Sequence, residues 1–214
     1  MKSFWKLLPA FCCALFFAGA AHAQIGHAPQ FSGVWNPVVG AGAAYSVENQ
    51  GQTSEMEMAV VGKETVDGKD GYWFEITMQS PREKGPMVMK YLYVLDGGQT
   101  RVVRMVMQMS GQSPMEMPAS MMGRMGTPPT QTADVRTQSQ DVGGESVTTP
   151  AGAFACEHYR AKDGSWDVWV AKSLPPYGLV KSKGHDYAMT LVRVITDAKD
   201  KITGTPRTMP DMPH

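Results

Sequence analysis

A chain of 214 residues with 20 basic and 20 acidic side chains has no charge surplus with which to hold nucleic acid or an anionic membrane surface. It carries no Gly-x-Ser-x-Gly elbow, His-Glu-x-x-His pair, phosphate-binding glycine loop or Cys-x-x-Cys pair, which removes the commonest sequence-encoded routes to hydrolysis, nucleotide chemistry and zinc binding.

Residues 1–23 read as a cleavable secretory signal peptide. Lys2 and Lys6 precede an apolar run from Leu7 to Ala20, and Ala21-His22-Ala23 forms a small-x-small cleavage site before Gln24. The run is shorter than the ~20 residues that span a bilayer, so no transmembrane anchor is expected after cleavage. Cys12 and Cys13 lie inside it, without the preceding small residue that lipidation requires. The expected product is periplasmic or secreted. Cleavage takes 23 of the 214 residues and leaves 191, enough for one domain with a real core. It also lowers the basic count from 20 to 18 against 20 acidic residues, a net charge of −2, and leaves Cys156 as the single thiol, so no intrachain disulfide can form.

Residues 24–30 read as a short flexible segment, and residues 31–200 as one β domain. Within it, period-two alternation dominates. Met56, Met58 and Val60 share one strand face. Tyr72, Phe74, Ile76 and Met78 share another, opposite Trp73, Glu75, Thr77 and Gln79. The pattern recurs as Met87, Met89, Tyr91, Tyr93 and Leu95, and then as Val103, Met105, Met107 and Met109. Turn signals at Val66–Gly71 and at Asp96-Gly97-Gly98 separate these strands, as an antiparallel meander requires.

Residues 110–132 interrupt the pattern with Pro114, Pro118, Pro128 and Pro129. Ser113-Pro114-Met115-Glu116 matches a helix capping box with proline at the first helical position, and Pro118 would end that helix at once. The segment reads as a Met/Pro-rich insertion that would close over the domain as a lid. Further strands are expected over 145–149, 154–161, 165–171, 178–182 and 188–196, with turns at Pro150-Ala151-Gly152 and Lys162-Asp163-Gly164. Residues 201–214, with Pro206, Pro210 and Pro213, read as a flexible tail.

Sixteen methionines follow Met1, most of them between Met56 and Met125 and often as Met-x-Met. On a strand that spacing puts both thioethers on one face. Such a face could be an ordinary core filled by an adaptable side chain, a surface that repacks around varied apolar guests, or a soft site for Cu(I). The insertion adds Met115, Met117, Met121, Met122 and Met125, with no histidine or cysteine among them.

Chemistry-bearing residues are few. His27 and His214 fall in the terminal segments, and His185-Asp186 falls in a predicted hairpin turn. Cys156 and His158 share a strand face, but Tyr159-Arg160 follows where a cupredoxin-like site would carry further ligands; a buried thiol beside a structural histidine fits better. Phe74, Tyr91, Tyr93, Trp166 and Trp169 could stack on sugar, although strand aromatics are more often cross-strand pairs.

The segment 145–182, ESVTTPAGAFACEHYRAKDGSWDVWVAKSLPPYGLVKS, resembles exported bacterial domains of the lipoprotein-carrier type through its TPAG-F turn and its C-x-H-Y, VWV and PPYGLVK runs. The resemblance, to LolA- and LolB-like carriers, implies a half-barrel whose concave face holds acyl chains, and implies no catalysis. The expected architecture is therefore mainly β, one curved antiparallel sheet. The expected concavity is lined by Met56, Met58, Phe74, Ile76, Met89, Tyr91, Tyr93, Met105, Met107 and Met109, with the insertion's methionines over it. The expected function is non-enzymatic binding of a lipid or other acyl-chain ligand, without cofactor or dedicated metal site. A methionine-rich Cu(I)-binding protein and an interaction module with a closed core are the alternatives.

Overall fold

The computed structural model describes residues 33–79, 84–96, 99–118, 130–132, 134–137 and 139–208. Residues 1–23, which read as a signal peptide, residues 24–30, and Met121, Met122 and Met125 lie outside them.

The alternation seen in the sequence becomes a long meander. Its strands are β1 (Gly42–Asn49), β2 (Gln52–Val66), β3 (Lys69–Gln79), β4 (Met87–Asp96) and β5 (Gln99–Met109), then the short β6 (Met115–Met117) and β7 (Thr130–Thr132). A 3-10 turn at Val135–Thr137 precedes β8 (Ser139–Thr149), β9 (Gly152–Ala161), β10 (Trp166–Val170), β11 (Leu179–Gly184), β12 (Tyr187–Ile195) and β13 (Arg207–Thr208). All belong to one sheet in the order β13-β6-β5-β4-β3-β2-β1-β12-β11-β10-β9-β8, with β7 on β5. Every pairing is antiparallel except β13 on β6. The two ends of this order do not meet, so the sheet is open. Bulges at Ala44/Tyr45, Val60/Gly62, Leu92/Tyr93, Asp141/Gly143 and Trp169/Val170 bend and twist the strands that carry them, which curves the sheet. The mainly β, curved antiparallel architecture is the one expected from the sequence.

The strand that joins the two halves, β1, escapes the periodicity because it begins Gly42-Ala43-Ala44. Small residues are needed there: a Cβ on Gly42 would lie 2.5 Å from the Met58 carbonyl oxygen. The Asp67-Gly68 turn between β2 and β3 is as predicted, with φ of 50° and 75°. Residues 97 and 98 of the Asp96-Gly97-Gly98 signal lie outside the described residues, and β4 pairs with β5 as a hairpin would.

Three expectations are corrected. Met115 to Met117 form a strand instead of a capped helix, because pairing with Met107 and Met105 places both methionines against a buried face. A helix cut off at Pro118 would leave them without that partner. Val103 does not share the face of Met105: the bulge opposite Leu92/Tyr93 shifts the register, and Val102 enters the core. Lys201 to Thr208 are not a loose tail but a strap across the outer face. Its Lys201 N–H donates to Glu75 Oε2 (3.0 Å), its Thr203 N–H to Gln108 Oε1 (2.9 Å), and its end pairs with β6 as β13. Ala59, Val88, Leu92 and Val106, on the same alternation as Glu75, Lys90 and Gln108, are buried on this outer face as well.

Candidate functional site: the methionine face

The main core occupies the concave face. Three cross-strand rows cross its N-terminal half. Met117, Met105, Tyr91, Phe74 and Val60 form the first; Met115, Met107, Met89, Ile76, Met58 and Ala43 form the second. Met109, Met87, Met78, Met56, Tyr45 and Leu191 form the third. Neighbours along a row stand about 4.5–5.5 Å apart at Cβ, so each row is a continuous line of contact.

Burial is uneven along these rows. Met56, Met58, Phe74, Ile76, Tyr91, Tyr93, Met105 and Met117 are buried. Towards the β5–β6 edge, Met78, Met87, Met89, Met107 and Met115 are half-buried, and Met109 is 40% exposed. Two of these, Met78 and Met87, belong to the patch although the expected lining omitted them; their alternation on β3 and β4 was the available signal.

The other end of the concavity is filled by the protein's own aromatic side chains. Trp35, on the segment before β1, meets Phe74 at 5.7 Å and Tyr93 at 5.5 Å edge-on, and Tyr177 at 4.9 Å. Phe74 stacks on Tyr93 (5.6 Å) and Tyr93 on Tyr91 (5.9 Å). Tyr177 reaches this cluster from the 174–178 loop, where Gly33 passes so close that a Cβ would lie 2.2 Å from the Tyr177 carbonyl oxygen. The Val34 N–H donates to that same oxygen at 2.8 Å. Burial raises the phenol pKa of Tyr91 to about 12 and pushes Tyr45, Tyr93 and Tyr177 higher still, so all four remain neutral donors. Tyr45 donates to the Leu179 carbonyl at 2.9 Å and Tyr91 to the Met89 sulfur at 3.5 Å. The Trp35 indole N–H is buried and has no hydrogen-bond partner among the described residues. Nothing in the periodicity marked Trp35 or Tyr177, because neither sits on a strand of the sheet.

The cysteine–histidine pair does not form a nucleophile dyad. The Cys156 thiol donates to the Phe154 carbonyl at 3.6 Å, and burial, reinforced by the Glu145 charge, pushes its pKa up to about 11. Asp167 holds the Nε2 of His158 at 2.6 Å, Glu145 approaches its Nδ1 at 3.3 Å, and Trp169 stacks on its ring at 4.4 Å. His185 and Asp186 sit together in the β11–β12 turn, well exposed and 3.6 Å apart. Phe74, Tyr91 and Tyr93 are spent on the core. Among the described residues, no cluster of three or more His, Cys, Asp or Glu side chains could hold a metal ion. No helix among them is long and apolar enough to cross a membrane.

Fold and site together define an open, curved antiparallel sheet with one end of its concave face plugged by aromatics and the other lined by half-buried methionines. No family model and no curated protein matches the chain. Among solved structures it is similar to a candidate lipoprotein from Parabacteroides distasonis ATCC 8503 (13% identity, TM-score 0.38, covering 77% of this chain and all of that one). It is also similar to a candidate exported protein with a YmcC-like fold from Bacteroides fragilis NCTC 9343 (14%, 0.37, 77% and 99%). MucB matches at 11% identity and a TM-score of 0.40, the match covering 77% of this chain and 57% of MucB.

Proposed function

We propose that the chain is an exported, non-enzymatic binding protein that holds a lipid-like or other hydrophobic ligand on the half-open part of its concave face. One observation carries the reading: Met78, Met87, Met89, Met107, Met109 and Met115 are contiguous in the sheet register, yet Met109 is exposed and the other five only half-buried, while the rows they continue are closed. A thioether surface adapts to guests of varied shape because its side chains turn about three bonds. An acyl chain burying ~10 methylenes there gains about 8 kcal/mol before ordering costs. No charged clamp is needed. The lipoprotein-carrier resemblance of residues 145–182 points the same way, and the signal-peptide pattern supplies the compartment.

The test is palmitate titration of the mature protein, read by calorimetry and native mass spectrometry. Saturable binding is expected. Met89→Glu with Met107→Glu, which places carboxylates on an opposed pair, should abolish it, whereas leucine at both positions should preserve it. A correctly folded protein that takes up no palmitate, or that binds it equally well in the glutamate variant, would sink the proposal.

A further inference from the structure

We propose that Met87, Met89, Met107 and Met109 form an all-thioether site for a single Cu(I) ion. Independently of the apolar-ligand reading, the sheet register brings two Met-x-Met segments into one rectangle. Met87 faces Met109, and Met89 faces Met107, across the β4–β5 ladder. Opposed positions stand about 4.5–5.5 Å apart and diagonal ones about 7–8 Å, distances that flexible methionine side chains close to bring three or four sulfurs onto one centre.

Chemistry selects the ion. Four neutral thioethers are soft donors with no charge to offer, which suits monovalent copper and disfavours zinc, magnesium and calcium, whose sites need thiolate, imidazole or carboxylate. The described residues offer no such competing cluster. Access is also graded as a site requires. Met109 is 40% exposed and opens the rectangle to solvent, while Met87, Met89 and Met107 are half-buried and shield the ion from water. The Tyr91 hydroxyl, 3.5 Å from the Met89 sulfur, holds that thioether in place and releases its lone pair when the ion arrives. Met107 also faces Met115 on β6, and Met87 faces Met78 on β3, so two further sulfurs border the site. Binding changes no oxidation state.

The experiment is anaerobic competition for Cu(I) between the mature protein and the chromogenic chelator bicinchoninate, with Ag(I) as a redox-inert second probe. The protein should withdraw one equivalent of Cu(I), and X-ray absorption should show sulfur-only coordination. Met107→Leu with Met109→Leu should weaken binding about tenfold or more while circular dichroism stays unchanged. Cys156→Ser and Met58→Leu should leave it intact. Palmitate binding should survive the leucine changes, so failure of one proposal is distinguishable from failure of the other. The site is refuted if the chelator keeps all the copper, if Met107→Leu/Met109→Leu binds as the parent does, or if Cys156→Ser abolishes binding.

Discussion

Glu75 makes the strap titratable. It lies on β3 facing outward, 3% exposed, and accepts the Lys201 N–H at 3.0 Å. Burial raises its pKa from 4.5 to about 7; the neighbouring Asp200 charge adds to this, and the bond from Lys201 partly offsets it. The unfolded chain therefore loses this proton near pH 4.5 and the folded chain near pH 7. Between those values the folded state binds more protons, so stability is full below about pH 4.5, falls as pH rises through the window, and levels off above about pH 7. The difference is worth about 3 kcal/mol. Glu75→Gln keeps an oxygen to accept the Lys201 N–H but cannot ionise. Urea unfolding of both proteins from pH 4.5 to 8.5 should give free energies that nearly coincide at the acid end. They should diverge to about 3 kcal/mol in favour of glutamine at the alkaline end. Parallel curves across the range would falsify the account of Glu75 as a buried, strap-covered carboxyl.

Tyr45→Phe leaves the Leu179 carbonyl without the hydroxyl that reaches it at 2.9 Å, and should cost about 1 kcal/mol in chemical denaturation with no loss of β signal. Met58→Ala, at a position with no exposed surface, should cost about 2–5 kcal/mol, whereas Met109→Ala, at 40% exposure, should shift the thermal midpoint little, within about 0.5 kcal/mol. Equal losses at the two sites would contradict the burial gradient along the rows. Gly42→Ala places a methyl 2.5 Å from the Met58 carbonyl oxygen and should destabilise by about 1–3 kcal/mol, seen as an earlier urea midpoint with unchanged slope.

The strands that bury one face were legible because burial writes itself as a period of two. Those of the β2–β5 meander could be read from Met56, Phe74, Met89 and Met105 and their alternate neighbours, and the long β9 from Phe154 to Ala161. What burial does not write was lost. The first half of β8, Ser139 to Gly144, is an edge with exposed side chains and carries no apolar stripe. For β1, close backbone approach demands small residues of low β propensity, which hid the strand that joins the two halves. The capping box at Ser113–Glu116 is a sound local signal overruled by a nonlocal partner. The strap is fixed by backbone N–H groups meeting Glu75 and Gln108, an arrangement that hydropathy cannot register.

The same distinction explains why the site was half legible. Met-x-Met on two strands predicts two stripes; only the register Met87↔Met109 turns stripes into a rectangle, and a one-residue slip would have sent one of them to the outer face. Nor does the stripe say which methionines are core. That is decided by Trp35 and Tyr177, which close the aromatic end of the concavity from segments outside the meander, while the methionines of the β5–β6 corner stay half-buried or exposed. A core that merely needed filling would close both ends with side chains of fixed shape, since branched and aromatic residues specify packing better than methionine. The protein does this at one end and places its most adaptable side chain at the other, which is the division of labour that the proposed binding role requires and a closed core does not.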